Sequence, residues 1–283
     1  MAIIELAGSI RSQWGEGPIW WQDALYYADI EGHRIHRYNP ADGSESSRVF
    51  AQRIGTIVPR ESGGFVVAGD LGLFFLDWES GHLTAIADPE ADKPDNRFND
   101  GKCSPDGRFF AGTISLVKKT GDARLYRLDP DLSLHEAFGP VTNSNGIVWS
   151  IDGTRVFYID TPRREVLVFD YDDGHLRNMR GAVDTSHIDA SPDGMTIDAM
   201  GNLWIAFCHG GCVACFDPVT GAEVQRVEIP CIETTACAFG GPGLGDLFVT
   251  TGVAKSVKEE HAGRLFVVKG LGVGGVEAST FAG

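Results

Sequence analysis

The chain has 283 residues, of which 43% are hydrophobic and 22% are charged, and its formal net charge is -15 at pH 7. This acidic balance disfavours binding to nucleic-acid phosphates or anionic membrane surfaces, because both attractions need a basic patch. No run approaches about 18 consecutive apolar residues, and the N-terminus lacks a basic stretch followed by an apolar one. We therefore expect neither a membrane span nor a signal peptide, and take the cytoplasm as the default location.

Strand-like runs recur along the chain at intervals of roughly 40 to 47 residues, the length of a four-stranded propeller blade. Each is followed by a second such run that ends in a turn rich in Asp, Gly or Pro. There is no sustained 3.6-residue periodicity, which argues against helical repeats. The sequence predicts an all-β, six-bladed β-propeller that forms a single domain over residues 1–283. The first runs, in chain order, span 25–30, 65–69, 109–113, 156–160, 203–207 and 247–251.

The N-terminal run 3–6 has no repeat of its own. A closed propeller must join its first and last blades or leave unpaired backbone groups at an edge. We predict that residues 3–6 complete the last blade beside residues 264–268.

Four polar residues stand at one fixed position in the repeats, eight residues before the small residue that precedes a strand-like run. Thr56 takes the same position in the second repeat. Equivalent positions in successive blades form a ring around the central channel, so we expect their side chains to meet there. Carboxylate and amide oxygens are the ligands of hard divalent cations. The alternative is that they are ordinary turn residues. The four are Glu16, Asn99, Asn145 and Asp193.

A second group of residues follows the strand-like runs and is expected at the same rim of the channel. Each of them is either a contact for a substrate or a solvated turn residue. His209, between Cys208 and Gly210, is the best candidate for substrate contact, and His187 is a weaker one. The group comprises Asp29, Asp70, the loop 115–122, Asp160, His209 and Thr251.

The six cysteines could be core residues, zinc ligands or redox-active thiols. Cys212 and Cys215 share one predicted strand at an odd spacing, so their side chains point to opposite faces. No paired Cys-x-x-Cys follows. We therefore favour free cysteines in the core, which suits a reducing cytoplasm.

Several longer motifs carry a resemblance to a known family. They include Gly15-Glu-Gly-Pro-Ile-Trp20, Asn96-Arg-Phe-Asn-Asp-Gly-Lys102 and Pro192-Asp-Gly-Met195. With these motifs, over nearly its whole length, the chain resembles the SMP-30/gluconolactonase/luciferin-regenerating family. The resemblance implies a six-bladed propeller that hydrolyses sugar lactones with one divalent cation on the channel axis.

The resemblance also assigns roles to individual residues. It implies that Glu16, Asn145 and Asp193 bind the cation, which is Ca²⁺, Zn²⁺, Mn²⁺ or Mg²⁺, and that Asp193 is the general base. It implies that Arg97 and Asn99 contact the substrate, and we add His209 to that group. For Arg97 the alternative is a structural arginine buried in an ion pair. The expected partner is a small sugar lactone, and the expected state is a monomer or a weak homo-oligomer.

The segment 114–122 departs from the family pattern because it is short and basic. Contacts from a lid over the channel, and with them the sugar specificity, are therefore not carried over.

Two other functions remain open at this point. The same cation could serve a phosphotriesterase or another esterase, since a fold does not determine a substrate. The chain could also be a non-catalytic calcium-binding propeller. A serine hydrolase is not indicated, because no Gly-x-Ser-x-Gly motif occurs in the sequence.

Overall fold

A computed structural model of the protein describes residues 2–255 and 257–283. This part of the chain contains 24 strands in six four-stranded sheets, two 3-10 turns (Thr161–Arg163 and Pro242–Leu244) and no α-helix. The six sheets form a six-bladed β-propeller, as the repeats predict. None of the described helical segments is long and apolar enough to cross a membrane.

The strands of each blade follow one another in the chain and pair antiparallel with their sequence neighbours. In chain order they are β1 (Ile3–Arg11), β2 (Gly15–Trp21), β3 (Ala24–Asp29), β4 (Arg34–Asn39), β5 (Ser44–Val49), β6 (Ile54–Pro59), β7 (Phe65–Gly69), β8 (Gly72–Leu76), β9 (Leu83–Ala87), β10 (Asn96–Cys103), β11 (Phe109–Ser115), β12 (Ala123–Leu128), β13 (Leu134–Val141), β14 (Ser144–Trp149), β15 (Arg155–Asp160), β16 (Glu165–Asp172), β17 (His175–Asp184), β18 (Ser191–Ile197), β19 (Leu203–Cys208), β20 (Cys212–Phe216), β21 (Glu223–Glu228), β22 (Thr234–Gly240), β23 (Asp246–Thr251) and β24 (Arg264–Lys269).

The first strand of each blade lies innermost. The inner strands β2, β6, β10, β14, β18 and β22 contact one another in sequence around the axis, and β22 contacts β2 to close the ring. Each inner strand is buried along most of its length. The centre of the molecule is therefore built from these six strands.

The N-terminal strand closes the propeller. β1 pairs with β24 as the outermost strand of the sixth blade, with Ile3 opposite Lys269 and Leu6 opposite Phe266. This confirms the predicted pairing. The last blade thus takes strands from both ends of the chain, which covers the edge that β24 would otherwise expose.

The hydrophobic core lies between neighbouring blades, because each sheet has apolar side chains on both faces. Cys212 packs in the cluster with Phe207 and Val166, whereas Cys215, on the other face of β20, packs in the cluster with Trp204. All six cysteines are free and buried, as predicted.

In three blades an acidic residue stands at or just after the end of the second strand. These carboxylates accept hydrogen bonds from the backbone and do not line the channel. Asp29 Oδ1 accepts hydrogen bonds from the backbone N–H of Gln13 and of Trp14, both at 2.9 Å, just before the inner strand of its blade. Asp70 and Asp160 each accept, also at 2.9 Å, from the backbone N–H that precedes their own inner strand. Neither of the two expected roles describes these residues: they anchor the start of the inner strands.

We expect Asp29→Ala to lower the free energy of unfolding by about 2–3 kcal/mol, because backbone donors bonded to a charged oxygen lose their partner. Asp29→Asn should cost less than half as much, since its Oδ1 can accept the same bonds. Urea denaturation of both variants checks this. Equal loss in the two variants would contradict the anchoring role.

Candidate active site

Every inner strand has a β-bulge at the same level. The pairing between first and second strand shifts within each blade, at Glu16–Ile19, Ile54–Thr56, Phe98–Asp100, Ser144–Ile147, Pro192–Met195 and Thr234–Ala236. A bulge leaves one residue unpaired and turns its side chain away from the regular alternation. Four residues lie unpaired within these bulges and two flank them, and together the six form a ring of side chains, the lower ring. Its members are Glu16, Thr56, Asn99, Asn145, Asp193 and Thr235.

Four members of the lower ring lie at the base of one cavity of about 1050 Å³ at the mouth of the channel. They are the four that the repeat register selects: Glu16, Asn99, Asn145 and Asp193. All four are buried. Contrary to the turn interpretation, they lie within strands.

The two threonines of the lower ring turn away from the cavity. Thr56 Oγ1 donates to the Gly101 carbonyl at 3.0 Å, and Thr235 Oγ1 donates to the Gly15 carbonyl at 2.5 Å. Each hydroxyl thus binds the backbone of the neighbouring blade. The polar functions at the base of the cavity come from the other four blades.

The two carboxylates of the lower ring are buried close to one another. Burial, followed by the charges of Asp193 and Asp100, raises the pKa of Glu16 well above its ordinary value. Burial, followed by the charge of Asp100, likewise raises the pKa of Asp193. Neither has a Lys, Arg or His nitrogen within 4.0 Å in the part of the chain that the structure describes.

A divalent cation fits this donor set. Two buried carboxylates with raised pKa values gain most from a positive charge, and oxygen donors suit hard cations. The amide of Asn145 completes the set: its Nδ2 donates to Thr161 Oγ1 at 2.8 Å, which fixes its Oδ1 on the side of Asn99.

Both the nitrogen and the oxygen of the Asn99 side-chain amide form hydrogen bonds with neighbouring residues. Its Nδ2 donates to the Ser144 carbonyl at 2.8 Å and to Asn145 Oδ1 at 3.3 Å. Its Oδ1 accepts from Arg97 Nη1 at 2.8 Å. Asn99 therefore links the guanidinium of Arg97 to the candidate cation ligands.

Arg97 is buried without an ion pair. Its Nη1 donates to the Phe98 carbonyl at 2.9 Å and to Asn99, and no carboxylate among the described residues lies within 4.0 Å of its guanidinium. Burial lowers its pKa. Arg97 therefore does not form the buried ion pair that was the alternative to substrate contact. It lines the cavity.

A second tier of side chains stands above the lower ring. Its members, the upper ring, lie two residues earlier in each inner segment, and five of the six line the cavity. Those five are Trp14, Arg97, Asn143, Ser191 and Glu233, and the sixth position is Ile54. Glu233 was not predicted from the sequence. The position two residues before the lower-ring position in each repeat would have identified it.

His209 lies at the cavity wall beside Glu233. Its Nδ1 is 2.8 Å from Glu233 Oε2, and its side chain is 62% exposed.

Cys208, predicted to be a core residue, also lines the cavity. Thr251, expected at the entrance, is buried and donates to the Arg264 carbonyl at 2.6 Å. Ile114 is the cavity-lining residue of the segment 114–122.

The comparisons with known proteins agree with this architecture. The family model described as "SMP-30/Gluconolactonase/LRE-like region" matches residues 14–253. Regucalcin of Danio rerio is 39% identical over 284 residues, with 96% of each chain covered.

Two solved structures superimpose closely. One is a calcium-binding protein, regucalcin, from Agrobacterium tumefaciens, with a TM-score of 0.92, 26% identity and coverage of 98% of this chain and 96% of that one. The other is a luciferin-regenerating enzyme, with a TM-score of 0.92, 28% identity and full coverage of both chains.

The clustered carboxylates allow a prediction of how the free energy of unfolding of the metal-free protein depends on pH. The folded-state pKa of Glu16 is raised, so its ionisation costs folding free energy as the pH rises above the unfolded value of about 4.3. In excess chelator at pH 8, Glu16→Gln should raise the free energy of unfolding by on the order of 1 kcal/mol. The gain should vanish near about pH 4, where the carboxyl is protonated.

The exposed Glu228→Gln is the control and should show no such pH-dependent gain. Urea denaturation at each pH measures the difference. A destabilising effect of Glu16→Gln at pH 8 in chelator would contradict the repulsion inferred at this site.

Proposed function

Because the chain belongs to the SMP-30/gluconolactonase/LRE-like family, we propose that it is a metal-dependent hydrolase that opens sugar lactones to aldonic acids. The observation that carries the proposal is the base of the cavity. There two buried carboxylates and one amide oxygen lie beneath a wall that holds an arginine without an ion-pair partner within 4.0 Å among the described residues.

Glu16, Asn145 and Asp193 would hold one divalent cation, of which Ca²⁺, Zn²⁺, Mn²⁺ and Mg²⁺ are the candidates. Such a cation would polarise the lactone carbonyl and stabilise the charge that develops on its oxygen.

Asp193 serves as the general base. Its carboxylate takes a proton from the attacking water, and the water oxygen bonds to the carbonyl carbon. When the bond from that carbon to the ring oxygen breaks, the proton on Asp193 passes to the ring oxygen, which becomes the new hydroxyl. The product is an open-chain hydroxy acid, and the carboxylate is regenerated.

Arg97 and Asn99 bind the hydroxyl groups of the sugar ring. A guanidinium presents several donors in one plane, and Asn99 fixes this plane by accepting from Nη1. Both residues stand on β10, one in each ring, so a substrate that reaches the lower ring passes the guanidinium. His209 extends the polar wall towards the mouth.

The first test of the proposal is hydrolysis of gluconolactone, galactonolactone and xylonolactone, with and without chelator. We expect Asp193→Asn to lower kcat by about 10²- to 10⁴-fold, because an amide cannot accept the proton. Its cation affinity should fall by no more than about 10- to 100-fold relative to the unmodified protein, because the amide oxygen still coordinates.

The exposed Asp172→Asn is the control for that variant and should keep full activity. Native turnover of Asp193→Asn at saturating cation would remove the general-base assignment. Cation binding by the unmodified protein, without turnover of any lactone, would instead favour a non-catalytic calcium-binding propeller. Turnover of phosphotriesters in preference to lactones would favour the other hydrolase class.

The second test concerns substrate recognition. Arg97→Ala should lower kcat/KM for hydroxylated lactones at least tenfold more than for an unsubstituted aliphatic lactone, which has no hydroxyls to bind. The exposed Arg177→Ala serves as the control. If Arg97→Ala lowers the melting temperature and affects both substrates equally, Arg97 supports the fold and does not select the sugar.

A further inference from the structure

Three donor groups of different chemistry meet on the cavity wall between the fifth and sixth blades. Cys208 Sγ lies 3.1 Å from Glu233 Oε2, and His209 Nδ1 lies 2.8 Å from the same oxygen. The three ligand atoms all lie within 4.8 Å of one another. One sulfur, one nitrogen and one oxygen donor therefore share a small volume.

The backbone brings the two adjacent donors to the same side. Neighbouring side chains on a strand normally point to opposite faces. His209 follows β19 with φ 67, in the left-handed region that a non-glycine residue adopts at a cost of about 1–2 kcal/mol. This turn directs the His209 ring to the carboxylate that Cys208 also contacts. Strain of this kind is typical of functional sites.

Glu233 is held by backbone pairing on the neighbouring blade. It forms an isolated antiparallel bridge with Cys208, and its carbonyl accepts from the Gly252 N–H at 2.8 Å. Its side chain is only 9% exposed, and His209 is its ion-pair partner within the described chain. A cation held by this carboxylate together with the neighbouring thiol and imidazole would compensate its charge.

We propose that Cys208, His209 and Glu233 form a second cation site, suited to Zn²⁺ and related thiophilic ions. Zinc takes thiolate, imidazole and carboxylate ligands at about 2.3, 2.0 and 2.0 Å, which places neighbouring donors about 3.3–3.5 Å apart in a tetrahedron. The two contacts to Glu233 Oε2 need to lengthen by only about half an ångström to reach this geometry. The Cys208 thiol loses its proton to solvent when the sulfur binds the ion.

The site differs in kind from the oxygen-ligand site below it. A thiolate and an imidazole select softer ions than Glu16, Asn145 and Asp193 do. His209 leaves one side open to the cavity, so a fourth position is available for water or for a ligand oxygen. The proposal does not depend on lactone hydrolysis, because it concerns binding alone.

Cobalt(II) titration of the reduced, chelator-treated full-length protein tests the proposal. Thiolate ligation gives a sulfur-to-cobalt charge-transfer band in the near ultraviolet, which oxygen ligands do not give. We expect this band in the unmodified protein and its loss in Cys208→Ser. Glu233→Gln should weaken the affinity read from the band by about 10- to 100-fold.

Two further variants distinguish this site from the core cysteines and from the oxygen-ligand site. Cys237→Ala removes a buried cysteine of the core and should keep the band. Glu16→Gln should also keep the band while it loses cation binding at the oxygen site, so failure of the lactonase proposal leaves this measurement unaffected. Circular dichroism confirms that each variant folds. A cobalt spectrum without the band, or a band that survives in Cys208→Ser, would overturn the second site.

Discussion

The close contact of six inner strands around one axis is the constraint on which the rest of the structure depends. A Cβ atom on Gly146 would lie 2.5 Å from the Met195 Cβ, and one on Gly194 would lie 2.4 Å from the Ala236 Cβ. Such distances are far below van der Waals contact, so glycine is required directly after Asn145 and Asp193. The absence of side chains there lets adjacent blades touch at the level where the polar residues meet.

This contact has an electrostatic consequence. The inner strands that approach so closely carry Glu16 and Asp193 in the lower ring, and Asp100 stands one residue beyond Asn99. Burial raises the pKa of all three carboxyls. A propeller optimised only for stability would place apolar residues there, because buried like charges oppose folding. The arrangement is instead favourable when a cation is bound, which couples ligand binding to stability.

The repeats were enough to predict the fold, the closing strand and five of the six lower-ring positions, all but Thr235, because equivalent residues in a closed ring must share one level. It could not distinguish Glu16 from Thr56, since only the structure shows that the threonine hydroxyl binds the next blade. Cys208 was assigned to the core by its residue type, and although it is buried it also lines the cavity, where the left-handed turn at His209 brings the imidazole to the same carboxylate. Such a turn depends on tertiary contacts that no spacing encodes.

The two rings have different freedom to vary. Asn145 and Asp193 each lie in a bulge and precede a glycine at a contact between blades, so a change at either alters both the cation donors and the packing of two blades. Five of the six upper-ring residues lie above that contact and line the cavity. Trp14, Arg97 and Glu233 differ widely in size and charge, yet they occupy equivalent positions on the same strand type. Selectivity for a substrate can therefore change in the upper ring while the lower ring keeps its geometry.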